Sequence, residues 1–168
     1  RAVTECEEDT LESVWFYNTV YGDSTYAPRK ECAPYKWDIN KKEYSSSVDK
    51  EKAIYTFDNG CDSIAYLNLI IAQDPTLYPI ANLNGKPDIK RGLPIKVGAW
   101  NADLKERVAE EVAANKSIAD IDTIGWEWSK DGVNFESLPA TATPTEAVSI
   151  RYFIKTECKT LYSDQYNN

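Results

Sequence analysis

Four cysteines, five tryptophans and a surplus of carboxylates are the chemically able side chains of this 168-residue sequence, and histidine is absent. Without imidazole, His-dependent triads, most zinc hydrolase sites and imidazole pH switches are excluded. No Cys-x-x-Cys pair is present, so the cysteines read as structural disulfides rather than metal ligands or a redox pair. Cys32 and Cys61 flank an aromatic hairpin pattern, and closing a loop of that length would stabilise a small β module by about 3–4 kcal/mol. Reactive thiols would need an activating base, and no histidine supplies one. Cys6 and Cys158 are left to pair with each other by elimination, or each with a cysteine of a neighbouring module.

Aromatic side chains offer a second chemistry. Trp15, Tyr17, Tyr35, Trp37, Trp126 and Trp128 could stack sugar rings, with acid or amide neighbours bonding the hydroxyls. Strand parity opposes this at several positions: Trp126 and Trp128 point to one side, and one buried tryptophan belongs in an immunoglobulin-like core. Trp37, Trp128 and Tyr152 are therefore expected in the core, and Trp15 and Trp126 are the candidate glycan-stacking residues. Among the acids, no pair stands out for glycoside hydrolysis. Glu5, Glu7, Glu8, Asp9 and Glu12 read as a solvated face. Asp38-Ile39-Asn40 and Asp120-Ile121-Asp122 fall short of the six to eight oxygens a calcium loop needs. No catalytic residue, metal or cofactor is predicted.

The elements that must position these residues are mostly strands. Aromatic and β-branched content predicts a strand at 13–21, and alternation predicts strands at 53–57 and 64–71, the last with its Leu face buried. Tyr35, Trp37 and Ile39, the polar Asn40–Lys42 and then Tyr44 predict a hairpin. The pattern breaks at Gln73-Asp74-Pro75, so two modules are expected, 1–74 and 75–168. In the second, a strand is expected at 93–99, then a short amphipathic helix over 103–115 capped by Asn101 or Asp103. Strands at 121–128, 133–138, 149–155 and 160–166 follow, with Ser129–Gly132 as a hairpin turn. The fold class is mainly β: two small β-sandwich or immunoglobulin-like modules, one short helix in the second. Thr4-Glu5-Cys6 and Thr156-Glu157-Cys158 echo each other, each followed by Thr-Leu-x-Ser; residues 1–20 then read as the tail of a preceding module in a tandem array.

A net charge of −8 disfavours nucleic acid and anionic membranes as partners. The apolar run around Ile64–Ala72 is far short of the ~20 residues that span a bilayer, so no direct membrane insertion is expected. Starting at Arg1, the sequence reads as a mature form or an excised fragment. Cysteine usage places it in an oxidising compartment, secreted or at the cell surface.

One segment resembles a repeat module of large surface and secreted proteins of Bacteroidota. Its residues are Cys32-Ala33-Pro34-Tyr35-Lys36-Trp37, Tyr44-Ser45-Ser46-Ser47, Tyr55-Thr56-Phe57 and Asn59-Gly60-Cys61-Asp62-Ser63, running on to Leu67-Asn68-Leu69. Trp126-x-Trp128-Ser129-x-Asp131-Gly132-x-x-Phe135, with Tyr152 and Cys158, is similar to the immunoglobulin-like modules that accompany it. This second stretch lacks an early-strand cysteine near 93–99. The resemblance implies adhesins, stalks and accessory modules exported by the type IX route. It also implies O-glycosylation at Asp-Ser/Thr triplets, which makes Thr10, Ser24, Ser63 and Thr123 candidate acceptors. The expected role is a non-enzymatic stalk or display segment, with neighbouring modules of the same polypeptide as partners and glycans or host surface proteins as further ones. A carbohydrate-binding module using exposed Trp or Tyr faces is the alternative.

Overall fold

The computed structural model describes residues 28–56, 62–85, 89–139 and 141–167. The protein is mainly β, with several sheets and a single α-helix among the described residues. It divides into two compact units, Arg1–Ala72 and Gln73–Asn168.

Unit 1 is built on β5 (Asp62–Ile71), whose alternation sends Ala65, Leu67, Leu69 and Ile71 inward while Ile64 and Tyr66 stay exposed. β4 (Val48–Thr56) pairs antiparallel with β5 and places Ala53 opposite Ala65. On the other side, β1 (Arg29–Glu31) pairs with β5 in parallel, Glu31 facing Ile71. The predicted hairpin forms from β2 (Tyr35–Lys36) and β3 (Glu43–Tyr44), with Tyr35 opposite Tyr44. It supplies Trp37 and Tyr44 to the apolar cluster of the sheet. Its turn closes through Trp37 N–H to the Lys42 carbonyl and Lys41 N–H to the Trp37 carbonyl. The Tyr44 hydroxyl ties the hairpin to β4: it accepts from Asn40 Nδ2 at 2.8 Å and donates to Glu51 Oε1 at 3.1 Å.

Unit 2 departs from the expected sandwich. Its one sheet runs β10 (Tyr166–Asn167), β8 (Ser149–Thr156), β6 (Ile121–Ser129), β7 (Glu136–Ser137), with β9 (Thr160–Tyr162) also pairing β8. No second sheet covers it among the described residues; α1 (Gly98–Ala114) and the chain leading into it do. The helix starts earlier than expected because Trp100, Leu104 and Val108, spaced by four, form one buried face. The predicted caps are therefore interior positions: Val97 precedes the first turn without a side-chain cap, and Asn101 and Asp103 serve other partners. Residues 93–99 do not form the predicted strand. Pro94 has no N–H to give a ladder, Ile95 N–H goes to the Ala142 carbonyl, and the chain turns into α1.

The return strand shrinks to Glu136–Ser137 because the Asp131 carboxylate has taken the Val133 and Asn134 N–H groups. The final strand splits at Ser163, whose hydroxyl accepts the Tyr152 N–H at 3.0 Å and donates to the Asp164 carbonyl at 2.7 Å. Asp164 Oδ1 in turn accepts the Ile80 N–H at 3.1 Å.

Candidate functional site

Chemistry-bearing side chains collect on the face of the unit 2 sheet away from α1. Ile150, Tyr152 and Ile154 point inward with no exposure, so Arg151 and Phe153 point outward. Register sets Glu127 opposite Arg151, Gly125 opposite Phe153 and Phe153 opposite Tyr162. The Arg151 guanidinium lies 3.8 Å from the Phe135 ring centroid and 4.2 Å from that of Tyr162, and Nη2 meets Glu127 Oε2 at 2.7 Å. Two rings and a carboxylate so placed satisfy the cation and tie the β7 arm and β9 across β8. Gly125 leaves room for Phe153: a Cβ there would fall 2.4 Å from Phe153 Cζ.

Beside this stack, the Ser129–Asn134 turn is organised by Asp131. Its carboxylate accepts the N–H groups of Asn134 (2.7 Å) and Val133 (2.9 Å), the Ser129 hydroxyl (2.7 Å) and Asn134 Nδ2 (2.6 Å). The Asn134 and Val133 backbone donors, then the side-chain donors, hold this acid well below the usual carboxylate range. A carboxylate so fully bonded orders a turn rather than moving a proton. In unit 1, Lys42 Nζ sits 3.0 Å from Glu51 Oε1; that hydrogen bond, followed by the one from Tyr44, lowers the Glu51 pKa, and the Lys42 pKa rises in response. The outer face of this sheet carries Ile54, Ile64 and Tyr66 exposed, Ile54 directly opposite Ile64.

Among the residues expected from sequence, Trp37 and Trp128 are buried in the cores of units 1 and 2. The Trp128 Nε1–H finds no partner among the described residues. Tyr152 is fully buried, donates its hydroxyl to the Tyr78 carbonyl at 2.8 Å, and has its pKa pushed up to about 12, chiefly by burial. Trp126 overturns the glycan-stacking expectation: it is 7% exposed, packs between Trp100 (5.4 Å) and Tyr152 (5.5 Å), and turns Nε1 toward Asn101 Oδ1 at 3.4 Å. Its parity with Trp128 sends both to the helix side. Thr123 is exposed, next to a bulge at Asp122 in β6. Trp15, Thr10, Ser24, Cys6 and Cys61 lie outside the described residues, as does the side chain of Ser63.

Cys32 and Cys158 are both disulfide-bonded. Cys32 follows Glu31, which faces Ile71 at the C-terminal end of β5; Cys61, its partner in the expected staple, lies outside the described residues.

Sequence reasoning missed Trp100, Arg151 and Gly125. Trp100 was readable as the start of a four-residue spacing that continues through Leu104 and Val108, and Arg151 as the outward position in an inward Ile-Tyr-Ile alternation. Gly125 carried no such signal, since its partner Phe153 is set by register alone. Among the described residues, no three His, Cys, Asp or Glu side chains gather to hold a metal, and no helix is long and apolar enough to cross a membrane. No protein-family profile, curated protein or solved structure matches the chain.

Proposed function

We propose that this chain is a structural, non-enzymatic segment of an extracellular bacterial protein, a stalk or display element of the kind found on Bacteroidota surfaces and exported by the type IX route. The observation that carries the reading is a disulfide-bonded cysteine in each of two compact units, Cys32 in one and Cys158 in the other, each unit with its own apolar cluster. Small β modules with limited cores gain most from such crosslinks, and crosslinks of this kind persist in oxidising surroundings. The aromatic residues favour the same role: Trp37, Trp100, Trp126 and Trp128 spend their surface on cohesion. Neighbouring modules of one polypeptide are its nearest partners, and the exposed Thr123 is a candidate acceptor for a glycan.

Single-molecule extension between flanking handles tests the proposal. In the oxidised chain, length enclosed by the disulfides stays hidden after the units open, and reductant releases it. Full extension at unchanged force without reductant would overturn the crosslinked-spacer reading, and saturable glycan binding quenching tryptophan emission would replace it with the carbohydrate-binding alternative.

A further inference from the structure

In the loop before α1, Asn84 and Gly85 stand against the first turns of the helix. Gly85 has φ +86°, and a Cβ there would lie 2.8 Å from Ala99 Cβ, so the fold demands glycine. Asn84 is exposed, and a single acid holds it: Asp103 Oδ2 accepts its backbone N–H at 3.0 Å and Oδ1 accepts Nδ2 at 2.6 Å. Asp103 also receives Arg107 Nε at 2.8 Å, and its side chain is only 10% exposed.

We propose that Asn84–Gly85 is a site of spontaneous deamidation gated by Asp103, and that the reaction releases the 82–85 loop from α1. A glycine nitrogen carries no side chain to hinder its approach to the preceding amide. The Gly85 nitrogen, giving its proton to water, bonds to Asn84 Cγ; the Cγ–Nδ2 bond breaks, ammonia leaves, and water opens the cyclic imide to Asp or isoAsp. One water enters, one ammonia departs, and nothing is oxidised. The Nδ2–Oδ1 bond opposes this, because the amide must turn from Asp103 to present Cγ. In the product an anionic oxygen replaces the donor, so two carboxylates face each other and the clamp is lost. This chemistry is independent of the stalk role and limits the lifetime of the folded unit.

Peptide mapping of the folded chain, aged in mildly alkaline buffer, reads the reaction, with Asn59–Gly60 in the same digest as an internal clock. Amide loss at Asn84 is expected, roughly tenfold faster in Asp103→Ala once the charge-assisted hold is gone. An Asn84 that stays amidated in both proteins, or decays at one rate in both, overturns the proposal. Because Asp103→Ala also frees Arg107, Asn84→Asp supplies the second measurement. Its 82–85 amides should exchange faster while β8 keeps its protection; unchanged exchange there would refute the release.

Discussion

In unit 1 the apolar face of the sheet is closed by a two-stranded hairpin that contributes Trp37 and Tyr44, whereas in unit 2 a 17-residue helix does the same work with Trp100, Leu104 and Val108. The hairpin's residues keep 6% and 4% of their surface; those of the helix keep 1%, 0% and 3%. A helix lays a stripe of side chains along the strands and excludes water over several of them. A short hairpin covers one end of a sheet and ties itself down with polar bonds such as Tyr44 to Glu51. A three-stranded and a five-stranded sheet thus acquire cores of different depth from what is laid over them.

Truncating the two anchors attacks this contrast most directly. Trp100→Ala should cost about 4–5 kcal/mol, near the top of the range for buried tryptophan, and Trp37→Ala closer to about 3 kcal/mol. Denaturant titration followed by amide protection in β8 and in β5 reads the two; the reverse order would break the comparison. Of smaller size is the effect of Gly125→Ala, which pushes a methyl into Phe153 and should cost about 1–2 kcal/mol. Adding Phe153→Ala should recover most of that loss in a double-mutant cycle, and strict additivity would show that the outer face of the unit 2 sheet does not depend on that close approach.

The smallest effect is acid-linked. Asp131 has its folded pKa depressed by backbone and side-chain donors, so its contribution is present above the unfolded pKa of about 3.9 and vanishes as pH falls through the lower folded value. In an acid titration by NMR, the Val133 and Asn134 amides should hold their shifts through pH ~4, the ordinary carboxylate range, and move only well below it. A midpoint at the ordinary value would remove Asp131 as the organiser of that turn.

Alternation was most legible in β5. Ala65, Leu67, Leu69 and Ile71 against Ile64 and Tyr66 reads as a half-buried strand from sequence and is one. The β2–β3 hairpin was equally plain. Legibility failed where side chains compete with the backbone: Asp131 and Ser163 consume N–H groups that alternation alone assigns to ladders. It failed also at Trp100, where Leu93, Ile95 and Val97 imitate a strand and hide the start of the helix. Parity reported that Trp126 and Trp128 share a face but not which one, because a helix rather than a second sheet supplies the cover.

The parallel pairing of β1 with β5 sets how unit 1 would answer a pulling force. Tension applied at the entry to Arg29 and at the exit after Ile71 pulls the two strands in opposite directions along their own axes. Every cross-strand bond in that short interface is then strained at once, and none can be peeled away ahead of the rest. Strands paired this way yield abruptly at a threshold instead of fraying gradually.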